Sequence, residues 1–460
     1  MHPSRFTRRL LAITFLGLAV RVGYVLIARR HSPPWGDAFY YHAQADLLAS
    51  GHAFVDPIRA VWAGIWLPSA EHPPLYTTYL AGFASLGLRS VLQQRLASCL
   101  LGAATVAVLG LLGRRLGGER AGLLAAGLAA VYPQLWLNDG QLLSESITAL
   151  VIALLMVGVE RYRRSPTLVT AALIGGATAL AALARGELIL LFPLIAIPVV
   201  VLWSDGRRAR LVRLGASTAA LLIVLGPWVG WNLSRFHHPE LVSSGFGTAL
   251  YAGTCDPAFS GSLIGYWGGV GCSLPQITIP APSAATLARW ERDPQGTEAE
   301  RTAYFRRYLE QDRLPNGSLR DESDLDIASR HAAVNYVKSH ERRALLVVAA
   351  REGRIWNVFK PTQGVHLDAT VDGRGNAGAW LAFVAFWPYT IAAVAGLVVL
   401  HRRGHAIWPY LMLAVEVGLA VAITYGIQRF RIPVETIVPA LGAIAVDAWW
   451  TKSSLRRTPA

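Results

Sequence analysis

The sequence is poor in charged residues and in lysine. Only 16% of its 460 residues are charged and 53% are hydrophobic, and long uncharged runs recur along the chain. This composition argues against a soluble core and indicates several membrane spans. The net charge of +14 comes almost entirely from arginine, because only Lys338, Lys360 and Lys452 are lysines. The arginines stand in short clusters between apolar runs, which argues against nucleic acid as a partner.

Several motifs of cofactor and metal chemistry are also missing. The chain has no Gly-rich phosphate loop, no HExxH and no CxxC pair. Nothing therefore indicates a nucleotide cofactor or a structural metal site, and no metal ligands are predicted. No cofactor is required by the sequence, and a divalent metal ion is left open.

Ten apolar segments approach the length that crosses a bilayer. An eleventh run, 75–88, is too short to cross comfortably. With ten spans the positive-inside rule places all six basic clusters in the cytoplasm, whereas counting 75–88 would move five of them outside. We therefore expect 75–88 to be an interfacial or re-entrant helix. The predicted spans are 10–28, 91–112, 121–136, 143–159, 168–184, 188–203, 214–232, 378–400, 406–425 and 433–450.

The predicted fold is an all-α polytopic membrane protein with about ten spans, interfacial helices and one large external insert. It divides into a seven-span catalytic module at 1–232, which includes the external loop 29–90, an extracytoplasmic insert at 233–377, and a three-span module at 378–460. The insert is too long for a simple loop. The expected location is the plasma membrane, with the active site on the extracytoplasmic side.

The chain has three cysteines. Cys99 falls in a predicted span and fits plain packing. Cys255 and Cys272 both fall in the external insert, on either side of a glycine-rich loop. An oxidising compartment allows them to pair, so a disulfide is predicted; the alternative is two separate small buried residues.

The stretch WGDAFYYHAQ, residues 35–44, places an aspartate and several aromatics just after the first span. Ala38, Tyr41, Ala45 and Leu48 are spaced for a helix lying along the membrane interface. Asp37 would then be held at a fixed depth, beside aromatic side chains that prefer the headgroup region.

Six segments resemble a known family in their order and spacing: WGDAFYYHAQADLLASG, HPPLYTTYLAGF, SESITALVIALL, ALARGELILLFP, PWVGWNLSRFHHPELVSSGFGTALYAG and QRFRIPVETIVPAL. The series is similar to the GT-C superfamily of membrane glycosyltransferases, in particular to the protein O-mannosyltransferases and lipid A aminoarabinose transferases of glycosyltransferase family 39. This resemblance implies transfer of a sugar from a polyprenyl phosphate to an acceptor outside the membrane, with inversion at the anomeric carbon.

The resemblance assigns Asp37 as the catalytic residue. It would act as general base, taking the proton of the acceptor as the acceptor attacks the anomeric carbon. Family members often have a second acidic residue directly after this aspartate, where this chain has Ala38. That departure weakens the case for a carboxylate pair or a required metal. The alternative role for Asp37 is a helix N-cap.

Cationic side chains are the expected partners of the donor phosphate, because the arginine fork fits phosphate oxygens. Arg429 and Arg431 lie at the outer end of the last predicted hairpin, and Arg185 lies with Glu187 in a short external turn. Their alternative role is headgroup anchoring or a local ion pair. His72 stands where family members often have a basic residue before two prolines.

Three further residues complete the predicted substrate-binding set. Glu145 matches an acidic position common in the family; its alternative role is a helix-start carboxylate. Tyr76 belongs to the HPPLY segment, and Tyr251 is a candidate for lining an acceptor groove.

Other function classes remain open at this point. A transporter or flippase of lipid-linked sugars would show repeated halves and interrupted helices near the midplane. A structural or assembly protein would not need Asp37, Arg429 and Arg431 to converge. An oligosaccharide ligase or polymerase would use the same chemistry with a larger donor. The sugar, the polyprenol length and the acceptor, whether protein, lipid or glycan, are not encoded in any motif.

Overall fold

The computed structural model describes residues 4–272, 282–293 and 296–455. Within these ranges the regular structure is helical, with two isolated β-bridges, so the all-α prediction is confirmed. The helices are α1 (Arg5–Tyr24), α2 (Asp37–Ala49), α3 (Pro57–Ala63), α4 (Pro74–Ser85), α5 (Val91–Gly117), α6 (Glu119–Val131), α7 (Pro133–Asp139), α8 (Glu145–Arg164), α9 (Leu168–Ala184), α10 (Ile197–Leu202), α11 (Arg207–Arg235), α12 (Phe246–Ala252), α13 (Asp256–Phe259), α14 (Ala284–Arg292), α15 (Glu298–Leu309), α16 (Glu322–Ser339), α17 (Glu341–Ile355), α18 (Pro361–Thr370), α19 (Gly375–Arg402), α20 (Trp408–Ile423) and α21 (Ile432–Leu455).

Five helical segments among the described residues are long and apolar enough to cross a membrane. Three shorter apolar segments, Leu168–Ala184, Gly186–Leu202 and Trp408–Ile423, also fall on predicted spans. The chain is therefore a multi-pass membrane protein, while the count of ten spans stays a prediction. The five long segments are Arg5–Arg29, Val91–Gly117, Arg207–Arg235, Gly375–Arg402 and Gln428–Lys452.

The predicted spans are not all regular helices. The segment predicted at 121–136 is broken at Tyr132, where α6 ends and Pro133 begins α7. Proline cannot donate the backbone hydrogen bond that a continuous helix needs, so the break follows from the sequence. The segment predicted at 188–203 passes through 3₁₀ and π turns before α10.

The run 75–88 forms α4, which has twelve residues and begins at Pro74. At 1.5 Å per residue the helix is about 18 Å long, well short of the ~30 Å of hydrocarbon in a bilayer. Its length excludes a simple span, as expected. Pro73 and Pro74 restrict the backbone at the start of α4. His72, which directly precedes them, is therefore held close to the first turn of this helix.

The long helices approach each other at glycines. A side chain at Gly175 of α9 would lie 1.9 Å from the carbonyl oxygen of Ser217 in α11, and one at Gly396 of α19 would lie 1.9 Å from that of Leu441 in α21. Small residues let helix backbones come this close, and packing of this kind drives helix association in membranes. These contacts hold α9 against α11 and α19 against α21.

The described residues of the insert between α11 and α19 form mainly helices, and they are docked onto the loop 29–90. Arg59 in α3 pairs with Asp312 at 2.9 Å, and the Arg306 guanidinium donates to the carbonyl of Ala63 at 2.7 Å. The predicted disulfide is confirmed, since Cys255 and Cys272 are bonded, and Cys99 is free and buried. The domain boundaries proposed from the sequence remain predictions.

Substitution of Gly175 by alanine should destabilise the protein by about 1–3 kcal/mol, because the added methyl group overlaps a backbone carbonyl. The measurement is thermal unfolding of the full chain in detergent. Gly176→Ala is the matched control, since no heavy atom lies within 4 Å of its added Cβ. Equal melting temperatures for the two variants would contradict close packing of α9 on α11.

Candidate active site

Asp37 begins α2, and its carboxylate is shared between two cations. Oδ2 lies 2.7 Å from the Arg429 guanidinium, and Oδ1 lies 3.7 Å from Nε2 of His72. The cap of α2 is Gly36, whose φ of +54° suits glycine, and no side chain caps the helix. The structure therefore does not give Asp37 the N-cap role. Its carboxylate contacts one residue nearby in the sequence and one from the far end of the chain, and 31% of the side chain is exposed.

His72 is held in place by aromatic rings. Its imidazole stacks on Tyr41 with centroids 4.8 Å apart, and it meets the edge of the Tyr40 ring at 4.8 Å. Both tyrosines lie on α2, one turn after Asp37, while His72 precedes α4. The imidazole is thus oriented between the interfacial helices and faces Asp37.

Arg429 lies in a 3₁₀ turn, Gln428–Arg431, between α20 and α21. Beyond Asp37, its Nε lies 4.0 Å from Oε1 of Glu145 at the start of α8. This Nε is buried without a hydrogen-bond partner, as is Oε2 of Glu145. Two oppositely charged side chains thus face each other with unused hydrogen-bonding capacity, which a ligand with donors and acceptors can fill.

A second ion-pair group joins the first at Glu145. The Arg185 guanidinium donates to Oε1 of Glu145 and to Oε1 of Glu187, both at 2.7 Å, and lies over the ring of Phe430 at 4.8 Å. Glu145 therefore connects Arg185 to Arg429. The set places three carboxylates against two guanidiniums and one imidazole at one end of the helical bundle, and its members are Asp37, His72, Glu145, Arg185, Glu187 and Arg429.

The cations decide the protonation of Asp37. Burial would raise the pKa of the Asp37 carboxyl, but the charges of Arg429 and His72 outweigh it and hold the pKa well below its usual range. Burial lowers the pKa of the His72 imidazole, but the charge of Asp37, its hydrogen bond to His72 and the charge of Glu71 together outweigh burial and raise that pKa. Asp37 is consequently ionised at neutral pH.

Three predicted site residues lie away from this cluster. The structure corrects the expectation for Arg431, which is fully buried, pairs with Glu435 at 2.7 Å and donates to the carbonyl of Ile355. Tyr76 is also fully buried, with its hydroxyl 2.6 Å from that of Ser98, and it reaches the site only through the edge contact of its ring with Tyr41. Tyr251 lies half-buried on α12 in the insert.

Sequence reasoning missed Asp372, which precedes α19. Burial raises its carboxyl pKa to about 7, against an opposing attraction from Arg429. Asp372 is therefore a third carboxylate around Arg429, and one of its oxygens is buried without a partner. Two aspartates four residues apart, Asp368 and Asp372, directly before a span were the available signal.

Glu322, the first residue of α16, was also missed. Its carboxyl group accepts from the backbone N–H of Ala70 at 2.8 Å, from the Ser244 hydroxyl at 2.6 Å, and from the Ser69 hydroxyl. Burial raises the Glu322 pKa to about 8, and the neighbouring carboxylate of Glu71 adds to the effect. This contact fastens the insert to the segment that carries His72.

The described helices share the fold of a solved archaeal oligosaccharyltransferase. The oligosaccharyltransferase AglB from Archaeoglobus fulgidus, in complex with an inhibitory peptide and a dolichol-phosphate, superposes with a TM-score of 0.53 and 13% identity over 98% of this chain and 51% of that chain. The apo form of an oligosaccharyltransferase from the same organism superposes with a TM-score of 0.54 and 14% identity, over 98% of this chain and 51% of that chain. This chain thus spans about half the length of the oligosaccharyltransferase it matches.

Residues 71–231 match the family described as dolichyl-phosphate-mannose-protein mannosyltransferase. The match covers roughly a third of the chain and includes His72, Glu145 and Arg185, but it leaves out Asp37 and Arg429. ArnT from Cupriavidus metallidurans, bound to undecaprenyl phosphate, gives a TM-score of 0.42 and 16% identity over 97% of this chain and 78% of that chain. No curated protein sequence matches this chain.

Replacing Arg429 by glutamine should raise the pKa of Asp37, because burial then acts without its main opposing charge. Carbodiimides modify protonated carboxyl groups, so the measurement is mass-spectrometric labelling of Asp37 as a function of pH. Arg30→Gln, at an exposed arginine near the end of the first helical segment, is the control. We expect the labelling midpoint to move to higher pH only in Arg429→Gln; identical midpoints in both variants would contradict the assigned ion pair.

Proposed function

We propose that the protein is an integral membrane glycosyltransferase that moves a sugar from a polyprenyl-phosphate donor to an acceptor at the extracytoplasmic face. The observation that carries the proposal is the contact of Asp37 with Arg429 and His72, three groups that the chain brings from its two ends. The GT-C fold and the family match at 71–231 support it. Dolichol-phosphate bound by the archaeal oligosaccharyltransferase is in keeping with a lipid-linked donor.

Asp37 acts as general base in this proposal. The acceptor gives its proton to the Asp37 carboxylate, and its oxygen or nitrogen attacks the anomeric carbon. The bond from that carbon to the phosphate oxygen breaks, and its electron pair leaves with the polyprenyl phosphate. Attack and departure on opposite faces of the sugar invert the anomeric centre. The pKa of the Asp37 carboxyl is held low, so the group is ionised and free to accept a proton.

Arg429 and Arg185 stabilise the charge that develops on the departing phosphate. Arg429 then has two roles, since it pairs with the base before the donor arrives and with the phosphate afterwards. When the phosphate takes a share of the guanidinium, the charge that lowered the pKa of Asp37 is partly neutralised. Burial then raises the proton affinity of Asp37 at the moment when it must accept a proton.

The interfacial position of the site fits the shape of such a donor. The polyprenyl tail stays in the lipid while its phosphate and sugar reach the helix ends. Arg185, Glu187 and Glu145 are polar side chains at those ends, suited to phosphate and sugar hydroxyls. A lipid-linked oligosaccharide would meet the same groups, and the GT-C fold shared with the archaeal oligosaccharyltransferase makes it the second candidate donor.

Asp37→Asn should insert and fold normally but lose sugar transfer by on the order of a hundredfold or more, because the amide cannot accept the proton. The assay incubates purified protein with a panel of polyprenyl-phosphate sugars and lipid-linked oligosaccharides, with membrane extracts as the acceptor source. Asp46→Asn is the control, since Asp46 lies on the same helix at a position about 180° round from Asp37. Near-normal turnover by Asp37→Asn would show that the base is elsewhere.

The side of the membrane is tested with an impermeant thiol reagent on intact cells. His31→Cys, at an exposed position before Asp37, should be labelled from outside, whereas His401→Cys at the exposed end of α19 should react only after permeabilisation. Cys99 is buried and the other two cysteines are bonded, so the wild type provides the background. The reverse pattern would place Asp37 in the cytoplasm and contradict the proposed reaction.

A further inference from the structure

Two histidines at the end of α11 lie against two aspartates at the start of α16. His237 Nδ1 is 2.8 Å from Oδ2 of Asp324 and 3.5 Å from Oδ2 of Asp321, and His238 Nε2 is 3.2 Å from Oδ1 of Asp324. The ligand atoms of His237, Asp321 and Asp324 all lie within 4.8 Å of one another. These residues belong to no part of the candidate active site.

The charges of this cluster are not balanced by a strong cation. Asp321 and Asp324 are buried, and among the described side chains the groups within ion-pair distance of them are His237 and His238. No arginine or lysine of the described residues pairs with either carboxylate. Hydrogen bonds at the start of α16 offset part of the cost of burying these two side chains, and a bound metal ion would offset more of it.

Hydrogen bonds of the helix start account for part of this geometry. Oδ1 of Asp321 accepts from the backbone N–H groups of Ser323 and Asp324, and Oδ2 of Asp324 accepts from the backbone N–H of Asp321. Such a capping box needs one carboxylate or hydroxyl at each position and does not need histidines. The two imidazoles come from a separate element, and both present ring nitrogens to the carboxylates while 39% and 43% of their side chains are exposed.

We propose that His237, Asp321 and Asp324 bind one divalent transition-metal ion, with Zn²⁺ as the best fit. One imidazole nitrogen and two carboxylate oxygens suit a zinc ion whose remaining position is taken by water, and two carboxylates neutralise the charge of the ion. His238, which contacts Asp324 alone, lies beside this set. The exposed faces of the histidines give the ion access from the external solution. The sequence motifs of zinc sites do not reveal this one, because its two halves lie more than eighty residues apart.

The ion would fasten the insert to the membrane module. Asp321 and Asp324 flank Glu322, whose carboxyl group holds the backbone of Ala70 and the hydroxyl of Ser69. His72 follows two residues later. A metal at this position therefore stabilises the start of α16 on the end of α11 and, through Glu322, the segment that places His72 against Asp37. The role is structural and independent of the transfer reaction.

The test uses the full-length, tag-free protein in detergent after removal of bound metal with a chelator. We expect one Zn²⁺ per chain by elemental analysis after reloading, and intense visible absorption of tetrahedral geometry when Co²⁺ replaces Zn²⁺. The double variant His237→Ala/His238→Ala should lower the affinity for Zn²⁺ by at least about tenfold. His331→Ala, at an exposed histidine on α16, is the matched control and should bind as the wild type does.

Two further measurements test the metal site without the histidine variants. Asp324→Asn, which keeps the shape of the side chain, should also lose the metal, so the result does not depend on a histidine variant that fails to fold. Hydrogen exchange of peptides covering residues 66–76 should accelerate after chelation in the wild type, because Ala70 N–H is held by Glu322.

Absence of stoichiometric Zn²⁺ binding would overturn the proposal. Zinc that is retained by the double variant but lost in Asp37→Asn would also overturn it, since the ion would then lie at the candidate active site. Neither result depends on sugar transfer, so the metal site and the proposed function fail or succeed separately.

Discussion

The ion pair between Asp37 and Arg429 is the contact on which the candidate site depends. It joins the first interfacial helix to the last hairpin, and the rest of the site surrounds it: His72 on one side, Glu145 and Arg185 on the other. A carboxylate at this depth is costly unless a cation accompanies it. The pair therefore stabilises the closed bundle and, in the proposed reaction, sets the proton affinity of the base.

The balance of charge around Arg429 distinguishes this site from a simple salt bridge. Asp37, Glu145 and Asp372 all influence the same guanidinium, yet its Nε and one oxygen of Glu145 have no partner. Other buried ion pairs of this chain, such as Arg374 with Asp368, also leave atoms without partners. The convergence of three carboxylates on the single Arg429 guanidinium is therefore what sets this site apart.

Much of the fold and part of the site followed from the sequence. Hydropathy and the basic clusters located the helices, and placing Asp37 and Arg429 at helix ends on the same side correctly anticipated that they meet. Arg431 does not reach the cluster, because side chains two residues apart in a 3₁₀ turn project about 120° from each other around its axis. Arg429 faces the site, and Arg431 faces Glu435 inside the bundle. Glu322 and Asp372 were missed because their partners are distant in the chain and no local pattern encodes them.

The order of the site residues along the chain has a consequence for biosynthesis. Asp37 leaves the ribosome about 400 residues before Arg429, which corresponds to roughly 20–80 s of synthesis at ~5–20 residues per second. During that interval the nascent chain holds a carboxylate at the bilayer edge with its principal counter-ion not yet made. His72 is made early, 35 residues after Asp37, and is the partner present in the chain during that interval. The Asp37 site is therefore completed only when the last hairpin has been made.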